Sequence, residues 1–158
     1  NQPIAAKATC FRIAATEAFR SYQQQVRTNA DTLAAGLVEG GFDVLTGGTD
    51  THLVQLDLRA TDWTGLTAQE RLEECRLTVN RNTVPFDERP PMNPSGLRIG
   101  TPALTTRGLD EDDMREIARV ICVALSDSYE DERESLRART RALVEAHPLY
   151  PQLSAATV

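Results

Sequence analysis

Apolar positions recur along the chain with two different periods, and the switches between them predict the elements. Residues 3–15 read as a helix, with Ile4, Ala8, Phe11 and Ala15 on one stripe and Pro3 in a first-turn position where its missing N–H costs nothing. After a break near Thr16, a longer helix carries Phe19, Tyr22, Val26, Ala30, Leu33 and Leu37 at helical spacing. Gly40-Gly41 ends it, because a left-handed residue at a helix C-terminus favours glycine. The period then drops to two. Residues 42–46 and 52–58 flank the turn Gly47-Gly48-Thr49-Asp50 and predict a hairpin. Its second strand puts His52, Val54, Leu56 and Leu58 on one face and Leu53, Gln55 and Asp57 on the other.

Thr67 and Glu70 form a capping-box signature for a short helix reaching about Cys75, with Leu72 and Cys75 on its inner side. Leu77-Thr78-Val79 predicts a short strand. From Asn80 to Pro94 the pattern breaks, and Pro85, Pro90, Pro91 and Pro94 punctuate a loop long enough to suggest a functional segment. Strand character resumes over Leu97–Thr101. Asp110 is an expected N-cap, Leu109 can staple onto Met114, and acids at 110–113 sit at the positive end of the helix that follows. Met114, Ile117, Ile121 and Leu125 form its buried stripe, and a last, highly charged helix spans about Glu130 to Ala146 before Pro148. Short strands with helices between and beside them describe an α+β fold, a small mostly antiparallel sheet covered by helices on one face. The expected division is a helical region over 1–40, an α+β domain over 41–150 and a tail over 151–158.

At 158 residues, the chain has the length of one domain. The net charge of −6 weighs against a nucleic-acid partner, which requires a basic face to displace counterions from phosphate. No apolar run approaches the roughly 18 residues of a membrane span, so no membrane partner is expected either. Cys10, Cys75 and Cys122 are odd in number and far apart, and with only His52 and His147 beside them they are poor material for a metal site. Cys75 and Cys122 fall in apolar helical patterns, which fits buried free thiols in a reducing, cytoplasmic compartment. The 17 basic residues are all arginine except Lys7. The chain begins at Asn1 rather than Met and is in helical sequence within four residues, which suggests a piece of a longer protein.

Candidate chemistry concentrates around two stretches. Alternation puts Leu97 and Ile99 on one strand face and Arg98 on the other. An outward guanidinium there is either a planar fork for a carboxylate or phosphate, or a solvated or internally paired surface arginine. Asn80, Asn82 and Thr83 can hydrogen-bond the polar edge of a heterocycle, or bond their own backbone as turn residues do. His52, on an apolar strand face, reads as a satisfied core histidine, and His147 as a helix-terminus cation or surface group. Arg137, Arg139 and Arg141 follow acids along one helix, the arrangement of a solvated face. Gly40-Gly41 and Gly47-Gly48 lack the strand–turn–helix context of a phosphate loop.

Five strings then arrive in one order: Ala5-Ala6-Lys7-Ala8, the run from Tyr22 to Val26, Gly47-Gly48-Thr49-Asp50 followed by His52-Leu53, the run from Asn80 to Pro85, and the run from Ser95 to Gly108. Together they resemble the C-terminal part of serine hydroxymethyltransferases, from Pro3 to about Tyr150. The resemblance implies the small C-terminal domain of an aspartate-aminotransferase-type (fold type I) enzyme dependent on pyridoxal phosphate. The family moves the hydroxymethyl group of serine to tetrahydrofolate, yielding glycine and methylenetetrahydrofolate, in one-carbon metabolism. By that resemblance Arg98 binds the amino-acid carboxylate and Asn82 lies at the folate pterin site.

The resemblance also implies what this chain lacks. The family's cofactor lysine stands in a Thr-Thr-His-Lys-like segment upstream of all these strings, and Lys7 in Ala5-Ala6-Lys7-Ala8 does not match it. The chain alone is therefore expected to supply no catalytic residue, to hold no pyridoxal phosphate covalently and to be inactive. The parent is expected to be a cytoplasmic homodimer, and the isolated chain to self-associate through the 3–39 helical region. Where the family carries a Val/Leu-Thr pair, this chain has Asn93-Pro94, which removes a backbone donor close to Arg98. That departure keeps open a related folate-independent pyridoxal-phosphate aldolase or transferase, and a non-catalytic interaction module derived from this domain stands as a separate alternative.

Overall fold

In the computed structural model, which describes residues 2–150, the chain opens with α1 (Gln2–Ala14), none of whose residues is buried. The tail over 151–158 lies outside the described residues. Thr16 separates α1 from α2 (Glu17–Glu39) by capping it, its hydroxyl accepting the Phe19 N–H at 3.2 Å. The second half of α2 buries Val26, Ala30, Leu33 and Leu37 completely. The 1–40 region is thus not uniform. The exposed α1 projects from the molecule, whereas the last turns of α2 share one core with the residues after 41.

Four strands, β1 (Asp43–Val44), β2 (Leu53–Asp57), β3 (Asn80–Asn82) and β4 (Gly96–Gly100), form an antiparallel sheet in the order β1-β2-β4-β3. Val54 and Leu56 of β2 and Leu97 and Ile99 of β4 point into the core. There they join Leu33 and Leu37 of α2, Leu72 of α3 (Gly65–Glu74), and Met114 and Ile121 of α5 (Glu111–Ala124). α4 (Pro102–Arg107) follows β4 directly, and α6 (Tyr129–Ala146) packs on α5 through Leu136. The molecule is α+β, a small antiparallel sheet with helices on one face.

Local chemistry moves three boundaries from their expected places. The α3 cap is Thr64 with Thr67, not Thr67 with Glu70: each of the two threonine side chains bonds the other's backbone N–H at 3.1 Å. Gly65 then starts the helix early because its N–H donates to the Pro94 carbonyl at 2.7 Å, in a space where a Cβ would lie 2.6 Å from the Gly96 carbonyl oxygen. The strand expected over Leu77–Val79 falls instead on Asn80–Asn82, whose polar residues suit a sheet face that no helix covers. His52 is exposed and lies outside β2, not in the core. Thr51 and Thr49 bond successive backbone N–H groups there, and that hydroxyl-built bend takes His52 out of the pleat.

α4 carries no apolar period and was not foreseen, yet a buried polar seam ties it to α2. Asn29 donates to the Thr105 hydroxyl and to the Leu109 carbonyl, both at 2.9 Å, and accepts from Gln25 at 3.0 Å. Thr101 donates to the Val26 carbonyl at 2.8 Å. With its partners in place, this seam satisfies the polar atoms that burial would otherwise penalise.

Gly40 retains ordinary helical φ, and Gly41 alone takes the left-handed conformation, with φ +88°. Gly40 is required for space, since a Cβ there would overlap the Cys122 thiol of α5. Gly40→Ala should therefore destabilise the chain by about 1–3 kcal/mol as an overpacking change. Cys122→Ala in the same chain should recover most of that loss, which a double-mutant cycle of urea denaturation curves would measure.

Candidate functional site

Directly paired residues of antiparallel strands point to the same side of a sheet. The register sets Gln55 of β2 opposite Arg98 of β4, Asn80 of β3 opposite the same Arg98, and Asn82 opposite Gly96. Because Val54, Leu56, Leu97 and Ile99 are claimed by the core, these residues all emerge on the sheet's open face. Arg98 therefore projects from the strand flanked on both sides, with Gln55 and Asn80 as neighbours.

A groove of about 670 Å³ runs along this face. Thr46 and Thr49 of the β1–β2 turn line one wall, Asn82 and Pro85 the other, with Gln55 and Arg98 between them. Thr46 holds a left-handed φ of +64°, uncommon for a threonine, with its hydroxyl donating to the carbonyls of Leu45 and Gly48. The Asn82 side-chain amide donates to the Thr83 carbonyl at 2.9 Å, and Gln55 donates to the same oxygen at 2.7 Å. One carbonyl thus links the residue across from Arg98 to Asn82.

Electrostatics separates two arginines near this groove. Arg59 forms a fork with Asp57, Nε lying 3.0 Å from both carboxylate oxygens, and its Nη1 reaches the Pro85 carbonyl at 3.3 Å. That hydrogen-bonded guanidinium holds the Asp57 carboxyl below the usual carboxylate range. Arg98, by contrast, is exposed and has neither an ion-pair nor a hydrogen-bond partner among the described residues. A planar fork of five donors on a rigid strand, left without an internal acceptor, can take a carboxylate in two parallel bonds.

The loop beyond Asn82 is ordered by Asp87. Its carboxylate accepts the Ser95 N–H at 2.8 Å, the Ser95 hydroxyl at 2.7 Å, the Arg89 N–H at 3.0 Å and the Val84 N–H at 3.2 Å. Burial pushes this carboxyl up, but the bonds from Ser95, Arg89 and Val84 outweigh it and leave Asp87 well below the ordinary range. Gln55 and Asp87 were not singled out in the sequence. Alternation puts Gln55 on the face of its strand opposite Val54 and Leu56, but only the β2–β4 register sets it beside Arg98, and the aspartate two residues after Pro85 carries a turn signal.

The structure brings Arg98, Asn82 and Thr83 to one groove, with Asn80 opposite Arg98 in the sheet, and leaves the remaining candidates elsewhere. Lys7 is exposed on α1. His147 caps α6 and lies 3.1 Å from an Asp113 carboxylate oxygen, and Arg139 pairs with Glu116 at 2.5 Å. Burial raises the thiols of Cys75 and Cys122, which keeps them protonated and unreactive. Among the described residues, no group of three His, Cys, Asp or Glu side chains is placed to hold a metal ion.

Two comparisons bear on what such a groove serves. Residues 1–121 match the family model described as serine hydroxymethyltransferase. The chain is also 50% identical, over 156 aligned residues, to the serine hydroxymethyltransferase of Leifsonia xyli subsp. xyli (strain CTCB07). That alignment covers 96% of this chain and 36% of the relative, so the chain spans little more than a third of the length of the protein it matches.

Asp87 sets an acid limit on the wall of the groove. A carboxyl depressed in the folded state contributes stability that is complete above its unfolded value, about 3.9, and is lost as pH falls from there toward the folded value. Asp87→Asn puts an amide NH₂ against donors and should lower the melting temperature at neutral pH. The gap between the two proteins should then close as the pH drops below about 4. Thermal melts across that range would measure it, and a gap independent of pH would contradict the role given to the carboxylate.

Proposed function

The chain belongs to the serine hydroxymethyltransferase family, and from that premise we propose that it is the C-terminal part of an enzyme transferring the hydroxymethyl group of serine to tetrahydrofolate. Glycine and methylenetetrahydrofolate are the products. The observation that carries this reading is the unpaired Arg98 fork, on a rigid central strand, in one groove with Asn82. Arg98 binds the carboxylate of serine or glycine through its two parallel N–H donors. Asn82 offers its side-chain amide to the polar edge of the folate pterin. Each is a positioning group, and neither transfers a proton.

Pyridoxal phosphate, the cofactor of the family, supplies the electron sink for the amino acid's α-carbon when bound. The residues of this chain do not fit it as a resident group. Covalent attachment needs a lysine amine, and Lys7 stands on α1, away from the groove lining. That lining also offers no histidine and no aromatic ring to lie against a pyridine. We therefore assign the cofactor to the part of the parent outside this chain, and the isolated chain is inactive.

Chain organisation supports an open assembly. α1 exposes Ile4 and Phe11 at 71% and 70%, an apolar surface in search of cover. In the parent this surface meets the remainder of the enzyme and, in a cytoplasmic homodimer, the second subunit. No helix among the described residues is long and apolar enough to cross a membrane. A folate-independent aldolase or transferase is the second reading, favoured by Asn93-Pro94 just ahead of β4, where the Pro94 carbonyl is committed to Gly65.

In the full-length enzyme, Arg98→Ala should raise the KM for serine at least a hundredfold, while Arg98→Lys, a point charge without the fork, should recover only part of it. Asn82→Ala should raise the KM for tetrahydrofolate about tenfold and leave serine binding unchanged. An enzyme that turns over serine without responding to folate would establish the second reading. With pyridoxal phosphate, the isolated chain should develop no visible band, beyond the free cofactor's own absorption, that is abolished by Lys7→Ala. It should also gain mass with concentration in light scattering, and a monomer at all concentrations would refute cover by self-association.

A further inference from the structure

A second cavity, of about 290 Å³, opens between α4, α5, α6 and the inner side of β4. It shares no lining residue with the Arg98 groove. Its walls are apolar, with Leu77, Ile99, Leu104 and Leu143 among them, so they favour a hydrocarbon body. The volume is at the low end for a small-molecule pocket, enough for one short ligand.

Charge gives this cavity a sign. Arg76 and Arg107 line it and, among the described residues, no Asp or Glu does, in a chain that carries 23 acids and a net charge of −6. Arg107 is held at one end, its Nη2 donating to the Val144 carbonyl of α6 at 3.1 Å. Its Nε is buried and has no hydrogen-bond partner among the described residues. A buried guanidinium N–H without an acceptor is costly, and an anionic oxygen is the group that relieves it most. The apolar wall and the unsatisfied cationic donor ask for the two ends of one molecule.

We propose that this cavity is a binding site for a medium-chain monocarboxylate, with the hydrocarbon against Ile99, Leu104 and Leu143 and the carboxylate on Arg107. The site does not depend on the reaction assigned above. It does touch that reaction's geometry, because Ile99 in its wall is the neighbour of Arg98 along β4.

Octanoate is the probe, titrated by calorimetry into the full-length protein at neutral pH, with octanol and octylammonium as controls of the same body. Octanoate should bind with a stoichiometry of one per chain, and at least tenfold more tightly than either control. Arg107→Met, which keeps the stem and removes the fork, should weaken octanoate at least tenfold and leave octanol unchanged. Val144 is half exposed at the rim, so Val144→Trp should close the mouth and abolish binding without disturbing the core, even if Arg107→Met fails to fold. Absence of saturable octanoate binding, equal affinity for the uncharged or cationic control, or undiminished binding after either substitution would overturn the proposal. The serine KM of Arg98→Ala is read separately, so the two assignments can fail independently.

Discussion

Side chains on a strand alternate, and here only one side of the sheet has anything to pack against. Val54, Leu56, Leu97 and Ile99 are drawn under α2, α3 and α5 by the removal of their apolar surface from water, at about 25 cal/mol for each Å². No freedom is then left for the residues between them. Gln55 and Arg98 must emerge on the opposite face, and the antiparallel register fixes them as direct neighbours. A one-residue slip of β4 would put Arg98 into the core and expose Leu97 and Ile99. The position of the Arg98 fork is thus held by hydrophobic burial on the far side of the sheet, not by any contact the guanidinium itself makes among the described residues.

Asn82 is held by other means. It belongs to the short edge strand β3, and the loop after it contains four prolines and little to bury. Asp87 compensates by gathering donors from Val84, Arg89 and Ser95 around one carboxylate, which closes the loop back onto the start of β4. Arg59 adds a second tie from β2 to Pro85, and Asp57 neutralises it. Every charge that orders the loop is therefore matched within the loop's own surroundings. Arg98 stays unpaired beside them: Asp57 and Asp87 are already engaged, and Asp50, which lines the same groove, makes no ion pair with it among the described residues.

How much of this was legible follows from which interactions are periodic. The stripes of α2 and α5, the β1–β2 hairpin and the outward Arg98 were all written in periods of 3.6 or two, and burial enforces such periods. The reciprocal Thr64–Thr67 cap, the hydroxyl-built bend that ejects His52 and the Asn29 seam to α4 have no period. The first two are local hydroxyl chemistry that the sequence permits in more than one frame, whereas the Asn29 seam depends on partners far away in sequence, as does the start of α3, where Pro94 receives the Gly65 N–H. Asn82 could be named only because ordered motifs resembled a family, since its own chemistry fits a turn equally well. The same holds for the role of Arg98, whose outward direction was derivable and whose ligand was not.

An unpaired guanidinium on an otherwise finished surface constrains what must lie across from it. Burying Arg98 without an anion would be prohibitive, so whatever docks on the open face must leave room for one or bring one. Among the described residues, the groove walls supply amides, hydroxyls and the Asp50 carboxylate, which orient a polar ligand, but no amine for covalent attachment, no imidazole and no aromatic ring. Orientation and reaction are therefore divided between polypeptide segments. The segment described here has the rigid half, since a fork carried on a central strand loses little when a carboxylate binds. In the function proposed above, the reacting groups belong to the part of the parent outside this chain, and α1, with no residue buried, is the natural strut between the two.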